Sequence, residues 1–398
     1  MAAPIKAIVK PELLVWARQS AGYSVEEAAA KINVKPERLQ RWENGEDRPT
    51  ISQLRNLGKI YKRPIAVFYL PEPPRKFQSI KDFRRLPGVV VEADSPQLLY
   101  EIRRAQERRE AALELIAEIG HDLPVLEASA SLSEEPADVG ARVRKLLGIT
   151  RDQQLAWANG YQAMNDWRTA LERAGTLVFQ AASVSTDEMR GFSISEFPLP
   201  VIVVNIKEPP TARIFSMVHE FVHLLLRRGG LCDLREDSHR PPEEQEVEVF
   251  CNAVAGEVLV PRSWLLAEPT VREHRTGPVW SMAELGALAR RFSVSREVIA
   301  RRLLTLDLTV EPIYKQIREE LQSQYVAKEK PDGFVTPDVK AVATVGFSFA
   351  RLVLDSYYQE KITSSEVSDL LEVRLKHLAK IERRVFGRST PPEVQIDL

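Results

Sequence analysis

Two histidines four residues apart flank a glutamate in the run His219-Glu220-Phe221-Val222-His223. On a helix, side chains at i and i+4 leave the same face one turn apart, so the two imidazoles can share one metal ion. Glu220 directly follows the first of them, and its carboxylate reaches the open coordination position rather than the ion. The spacing therefore predicts metal held by His219 and His223, with Glu220 as the catalytic base. It would take a proton from metal-bound water and return it to a leaving amine. Zinc is the expected ion, because it lowers the pKa of bound water to about 7, where a nearby carboxylate can finish the deprotonation. Manganese or iron also suits such a ligand set, since selection rests partly on availability. The chain holds six histidines, too few for this pattern to arise readily by accident.

A third protein ligand has to come from another element. The acidic segment 243–259 offers Glu243, Glu244, Glu246 and Glu248. Acidic groups at a helix start ordinarily just complement its dipole, which accounts for Glu243 and Glu244. Glu248 lies further in, ahead of Cys251, Asn252 and Ala255, whose small size lets the helix press against a neighbour. Glu248 is the expected third ligand and Glu244 the next choice. Cys251 reads as a small buried hydrophobe, and His239 and His274 as surface residues.

The elements that must position these groups form a multidomain, mostly helical α+β chain. At 398 residues, 44% hydrophobic and 28% charged, it has the composition of folded soluble protein in several domains. No apolar run is long enough for a membrane span, no export signal opens the chain, and two cysteines are too few for a disulfide scaffold; a cytoplasmic protein is expected. The net charge of −1 argues against a globally basic polyanion binder, but residues 1–75 carry 13 Lys/Arg against 8 Asp/Glu. Helix signals there give about five short helices between residues 11 and 69: Gly22 as a stop, Ser24 with Glu27 as a capping box, Lys35-Pro36 as a start and Thr50 as a cap. A stiff Pro71-Glu72-Pro73-Pro74 segment follows. A long helix over 95–119 carries an apolar stripe, with Arg103, Arg104, Arg108 and Arg109 read as facing solvent. Strands are expected at 176–180 and 201–205, the second just ahead of the histidine helix, and a Thr363–Glu366 capping box marks a later helix. The expected divisions are an N-terminal helical domain over 1–74, a helical linker over 75–127, the histidine-bearing domain over 128–310 and a helical C-terminal domain over 311–398.

The sequence resembles the ImmA/IrrE metallopeptidase family in its long form, which begins with an Xre-type helix-turn-helix. The resemblance runs through Trp167-Arg168, Leu171-Glu172, Gly175-Thr176-Leu177-Val178-Phe179, Arg190-Gly191-Phe192-Ser193 and Val201-Ile202-Val203-Val204-Asn205 into Arg213 to His223. It resumes at Glu248-Val249-Phe250-Cys251-Asn252, in a helix closing on Leu259-Val260-Pro261. It implies a zincin-like site of gluzincin type, with Glu248 as the acidic ligand. An edge strand would hold substrate in extended form, for which Val203 and Asn205 in the second strand are the candidates. It also implies a partner transcriptional repressor as the protein substrate, a stress-type regulatory role and scope for a homodimer.

In the first seventy residues, Trp42-Glu43-Asn44-Gly45 followed by Pro49 resembles the Xre motif. This implies that Lys35, Glu37, Arg38 and Arg41 face DNA while Ile32 and Trp42 form core. The acidic run Glu26-Glu27 departs from the family pattern and keeps a protein-docking or dimerising role open for this module. A second helix-turn-helix-like stretch, 285–304, resembles the family's helical cap and is read as peptidase scaffold. The reading of a different class is a DNA-binding transcriptional regulator or antitoxin-like protein whose metal site is structural or inactive.

Overall fold

Helix starts and stops written into the first seventy residues become helix ends in the computed structural model, which describes residues 5–74, 94–228, 230–232, 242–275, 277–326 and 335–387. Helix α1 (Pro11–Ser20) opens on proline, and Gly22 follows it at φ +74°. In α2 (Val25–Lys31) the Ser24 hydroxyl accepts from Glu27 N while the Glu27 carboxylate accepts from Ser24 N, the reciprocal box the spacing implied. Helix α3 (Pro36–Glu43) and α4 (Ile51–Tyr61) follow, the latter capped by Thr50 with Gln53. The fifth expected helix is only a 3-10 turn, Ile65–Tyr69. Leu14, Ala17, Ala28, Leu39, Trp42, Leu54 and Leu57 form the core of this bundle. Arg18 grips Glu43 through two bonds, of 2.8 and 2.9 Å, and donates to Tyr23 O, tying α1 to the end of α3.

Helix α5 (Pro96–Ile119) begins in one compact unit and ends in the next, the division falling between Arg104 and Ala105. Its arginines do not face solvent as expected. Arg103, Arg108 and Arg109 are buried and only Arg104 is half-exposed. Arg103 donates to the carbonyls of Tyr61 and Lys62, Arg108 pairs with Glu372, and Arg109 takes the carbonyls of Glu196, Pro198 and Leu199. Helical periodicity identified the face but not the acceptors that other segments bring to it.

The second unit begins with α6 (Pro136–Leu147), α7 (Arg151–Ala156) and α8 (Gly160–Arg173) and then forms a small sheet. Strands β1 (Leu177–Ala181), β2 (Gly191–Ile194), β3 (Val201–Asn205) and β4 (Gly230–Cys232) lie in the order β1-β3-β2-β4. The β1/β3 pair is parallel, with Phe179 opposite Val203; β2 is antiparallel to both β3 and β4. Every residue of β1, β2 and β3 is buried, as in a sheet covered on both faces. Helix α9 (Pro210–Leu225) packs on β2 and β3 and is buried at each position from 213 to 225. Helix α10 (Pro242–Leu259) packs between α9 and α6. Gly140 permits the approach to α6, since a Cβ there would stand 2.7 Å from both Cβ and Cγ of Glu257.

Short α11 (Arg262–Ala267) and α12 (Pro269–Arg272) lead to α13 (Met282–Phe292), α14 (Arg296–Thr305) and α15 (Glu311–Val326). Leu285, Leu288, Phe292, Ile299 and Leu303 join the main core, and Arg302 donates to Val260 O. The 285–304 stretch is therefore packed as scaffold. The remaining helices are α16 (Pro337–Val345), α17 (Phe347–Tyr358), α18 (Ser364–Leu370), with its Thr363–Glu366 box, and α19 (Leu378–Phe386). They belong to the same compact unit as the sheet. Phe349 meets Phe179 edge-on at 5.5 Å, and the fully buried Arg168 links Glu172 and Val178 O to the carbonyls of Ala343 and Thr344. No helix among the described residues is long and apolar enough to cross a membrane.

Candidate metal centre

Helix α9 presents His219 and His223 toward α10, where Glu248 faces them; all three are buried. The two Nε2 atoms stand 3.1 Å apart. Glu248 Oε2 lies 3.3 Å from His219 Nε2, and Oε1 lies 3.4 Å from His223 Nε2. Donors on a tetrahedron with arms of about 2.0–2.1 Å are separated by about 3.3 Å. The two imidazole nitrogens stand close to that spacing and Glu248 faces each of them with one of its oxygens, so the three side chains converge on a space in which all can reach one zinc-like ion. Glu244, the alternative, is outside the cluster.

The protonation states suit a cation. Burial drives the His219 imidazole toward its neutral form, lowering its pKa. Burial also pushes the Glu248 carboxyl up, but hydrogen bonds and charge from His219 and His223 outweigh it and hold the group well below the usual carboxylate range. A neutral imidazole and an ionised carboxylate are the forms in which such groups ligate metal. Cys251, one turn after Glu248, is fully buried; burial raises its thiol pKa, His223 offsets part of that, and it is not among the clustered residues. It serves as the small buried side chain expected. Among the described residues, His219 Nδ1 has no hydrogen-bond partner.

Glu220 is buried on α9 and turned toward β2: its Oε1 lies 3.1 Å and its Cγ 3.3 Å from where a Cβ of Gly191 would be. Behind it, Ser216 Oγ donates to Glu208 Oε2 at 3.3 Å, and Arg190 Nε stands 3.5 Å from Glu208 Oε1. Burial raises the Glu208 pKa, offset by Arg190 and the Ser216 bond. Neither Gly191 nor Glu208 was a sequence candidate. A glycine opening a strand was the available signal.

The structure contradicts the substrate-strand expectation. Val203 is in an inner strand, paired with Phe179 on one side and Phe192 on the other, so its backbone has no free edge for a peptide. Asn205 is fully buried and its amide donates to Val184 O and Met189 O, holding the β1–β2 connection instead of a ligand. Strand order is a non-local property, and residues 201–205 alone could not reveal it. His274 is not a surface residue either: it stacks on Trp280 at 3.6 Å and hydrogen-bonds to Glu284 at 2.9 Å. His239 lies outside the described residues.

In the N-terminal unit, Lys35, Glu37, Arg38 and Arg41 are all exposed on or beside α3, together with Gln40 and Asn44, while Trp42 is core. Arg38 lies over the Trp42 ring at 5.5 Å. The acidic residues are less forbidding than their number suggests, since Glu27 is engaged in the α2 cap and Glu43 in the pair with Arg18.

Comparison with known families agrees with this division. Residues 171–304 match a peptidase family described as the IrrE N-terminal-like domain, and residues 14–68 match a helix-turn-helix family. The chain carries an IrrE-type peptidase domain behind a helix-turn-helix domain of the DNA-binding kind, the arrangement the sequence resemblance implied. The curated proteins compared include no match.

Proposed function

We propose that this protein is a zinc-dependent endopeptidase that cleaves a partner transcriptional repressor, and that its N-terminal module binds DNA through Lys35, Arg38 and Arg41. The observation that carries the reading is the buried, converging cluster of His219, His223 and Glu248, with the Glu220 carboxylate one residue beyond the first ligand. A catalytic rather than structural site is favoured because three protein ligands leave one position of a tetrahedron open.

His219, His223 and Glu248 would hold the ion. When bound, zinc supplies a Lewis acid for the scissile carbonyl and brings the pKa of a coordinated water to about 7. Glu220 accepts the proton of the attacking water on its carboxylate and delivers it to the amine nitrogen as the peptide bond breaks, so it ends the cycle as it began. Burial of all four side chains excludes bulk water and strengthens each of these interactions. The surplus of basic groups in residues 1–75 and the exposed α3 cations favour a phosphate-bearing partner for the N-terminal unit.

The test is to incubate the zinc-loaded protein with the product of the adjacent gene. A discrete cut by the wild type, and none by Glu220→Gln at equal zinc content, is the expected result. Equal cutting by both would remove Glu220 from the mechanism. A salt-dependent operator complex formed without any cut would favour a regulator with an idle metal site.

A further inference from the structure

The backbone does not explain why β2 opens on glycine. Gly191 has no positive φ, and it is paired on both sides, with Val204 in β3 and Cys232 in β4. Glycine in such a position weakens a strand and ordinarily marks a close approach by something else. Here the approaching group is Glu220. A Cβ on residue 191 would sit 3.1 Å from Glu220 Oε1, 3.3 Å from Glu220 Cγ and 3.1 Å from Val203 O.

Nor can strand and helix drift apart to make room. Arg190, the preceding residue, stands against Glu208, which accepts from Ser216 one turn before Glu220. The Arg190 carbonyl also accepts from Asn205 N at 2.9 Å. With the start of β2 pinned to α9 and β3, and α9 buried all round, an added methyl has to displace the carboxylate by a few tenths of an ångström.

We infer that Gly191 is a positioning residue for the Glu220 carboxylate: the missing side chain sets how deeply that group seats against the sheet, and so how far it stands from the metal ligands. This rests on the reading of Glu220 as the proton-transferring base.

The experiment combines a stability cycle on metal-free protein with turnover of the zinc-loaded protein. The cycle uses wild type, Gly191→Ala, Glu220→Ala and the double variant. Gly191→Ala is expected to lower the thermal midpoint by about 3 °C beside Glu220 and by clearly less in the Glu220→Ala background, where the two contacts with Glu220 are gone and only that with Val203 O remains. With zinc content unchanged, its kcat on a synthetic peptide spanning the mapped cut should fall about tenfold while KM stays constant. An equal loss of midpoint in both backgrounds, meaning that residue 191 acts only through Val203 and strand pairing, overturns the inference, as does an unchanged kcat. A wild type that cuts nothing would overturn Glu220 as base, while the stability cycle would still decide whether Gly191 seats its carboxylate.

Discussion

Replacing Glu248 by glutamine keeps the shape of the side chain and removes the only formal negative charge among the three clustered ligands. The carboxylate oxygens stand 3.3 and 3.4 Å from the two imidazole nitrogens, close enough that one ion touches all three groups. Structural zinc binds four-ligand peptides with about 10–16 kcal/mol, or roughly 2.5–4 kcal/mol per ligand. An amide oxygen remains a weak donor, so we take the lower part of that range, about 3 kcal/mol. At 1.4 kcal/mol per decade this is roughly a hundredfold weaker zinc affinity. The assay is competition against a chromogenic chelator at neutral pH, with circular dichroism to show that Glu248→Gln is folded. Glu244→Gln is the control, since Glu244 lies outside the cluster. A loss smaller than about threefold for Glu248→Gln, or a larger loss for Glu244→Gln, would refute the assignment of the third ligand.

Other consequences follow from the same packing. The His219 pKa is lowered by burial, so below its ordinary value of about 6.5 the unfolded chain binds the proton that the folded chain refuses. Metal-free protein should therefore hold full stability above about pH 6.5 and lose it as pH falls, with a further loss through the ordinary carboxylate range because Glu248 is also depressed. Urea midpoints at pH 7.5 and 5.5 check this, and a flat or rising profile toward acid would contradict it. Gly140→Ala places a Cβ 2.7 Å from Glu257 Cβ, near the helix backbone and away from the flexible end of the side chain. We expect a destabilisation of about 1–3 kcal/mol, read as a thermal midpoint several degrees lower, whereas an unchanged midpoint would show that α6 and α10 separate freely. Arg41→Ala should reduce the salt dependence of binding to duplex DNA from the protein's own promoter by about one ion; an unchanged slope would place Arg41 away from phosphate.

The helix caps and the pairing of His219 with His223 were the most legible parts of the sequence, because both depend on fixed short spacings. Ser24 with Glu27, Thr363 with Glu366, and His219 with His223 each act within one or two turns of a single helix. Glu248 could be chosen over Glu244 because Cys251 and Ala255, both buried, mark the face that packs inward. What failed was non-local. Strand β2 is four residues long and buried throughout, so it has no alternation to announce it, and without it β3 looked like an edge. The arginines of α5 were misread for a related reason: their acceptors come from distant segments, at Tyr61, at Glu196 to Leu199 and at Glu372. Gly191 lay within the resembling blocks, yet its contact with Glu220 exists only once β2 is laid against α9.

The central claim is that His219, His223 and Glu248 together bind one catalytic metal ion, and zinc-edge X-ray absorption of the purified protein tests it most directly. The account predicts one zinc per chain, with two imidazoles among nitrogen and oxygen ligands at about 2.0–2.1 Å and no sulfur. A sulfur ligand at about 2.3 Å, which would bring in Cys251 or Cys232, or zinc content unaffected by His219→Ala, would contradict it.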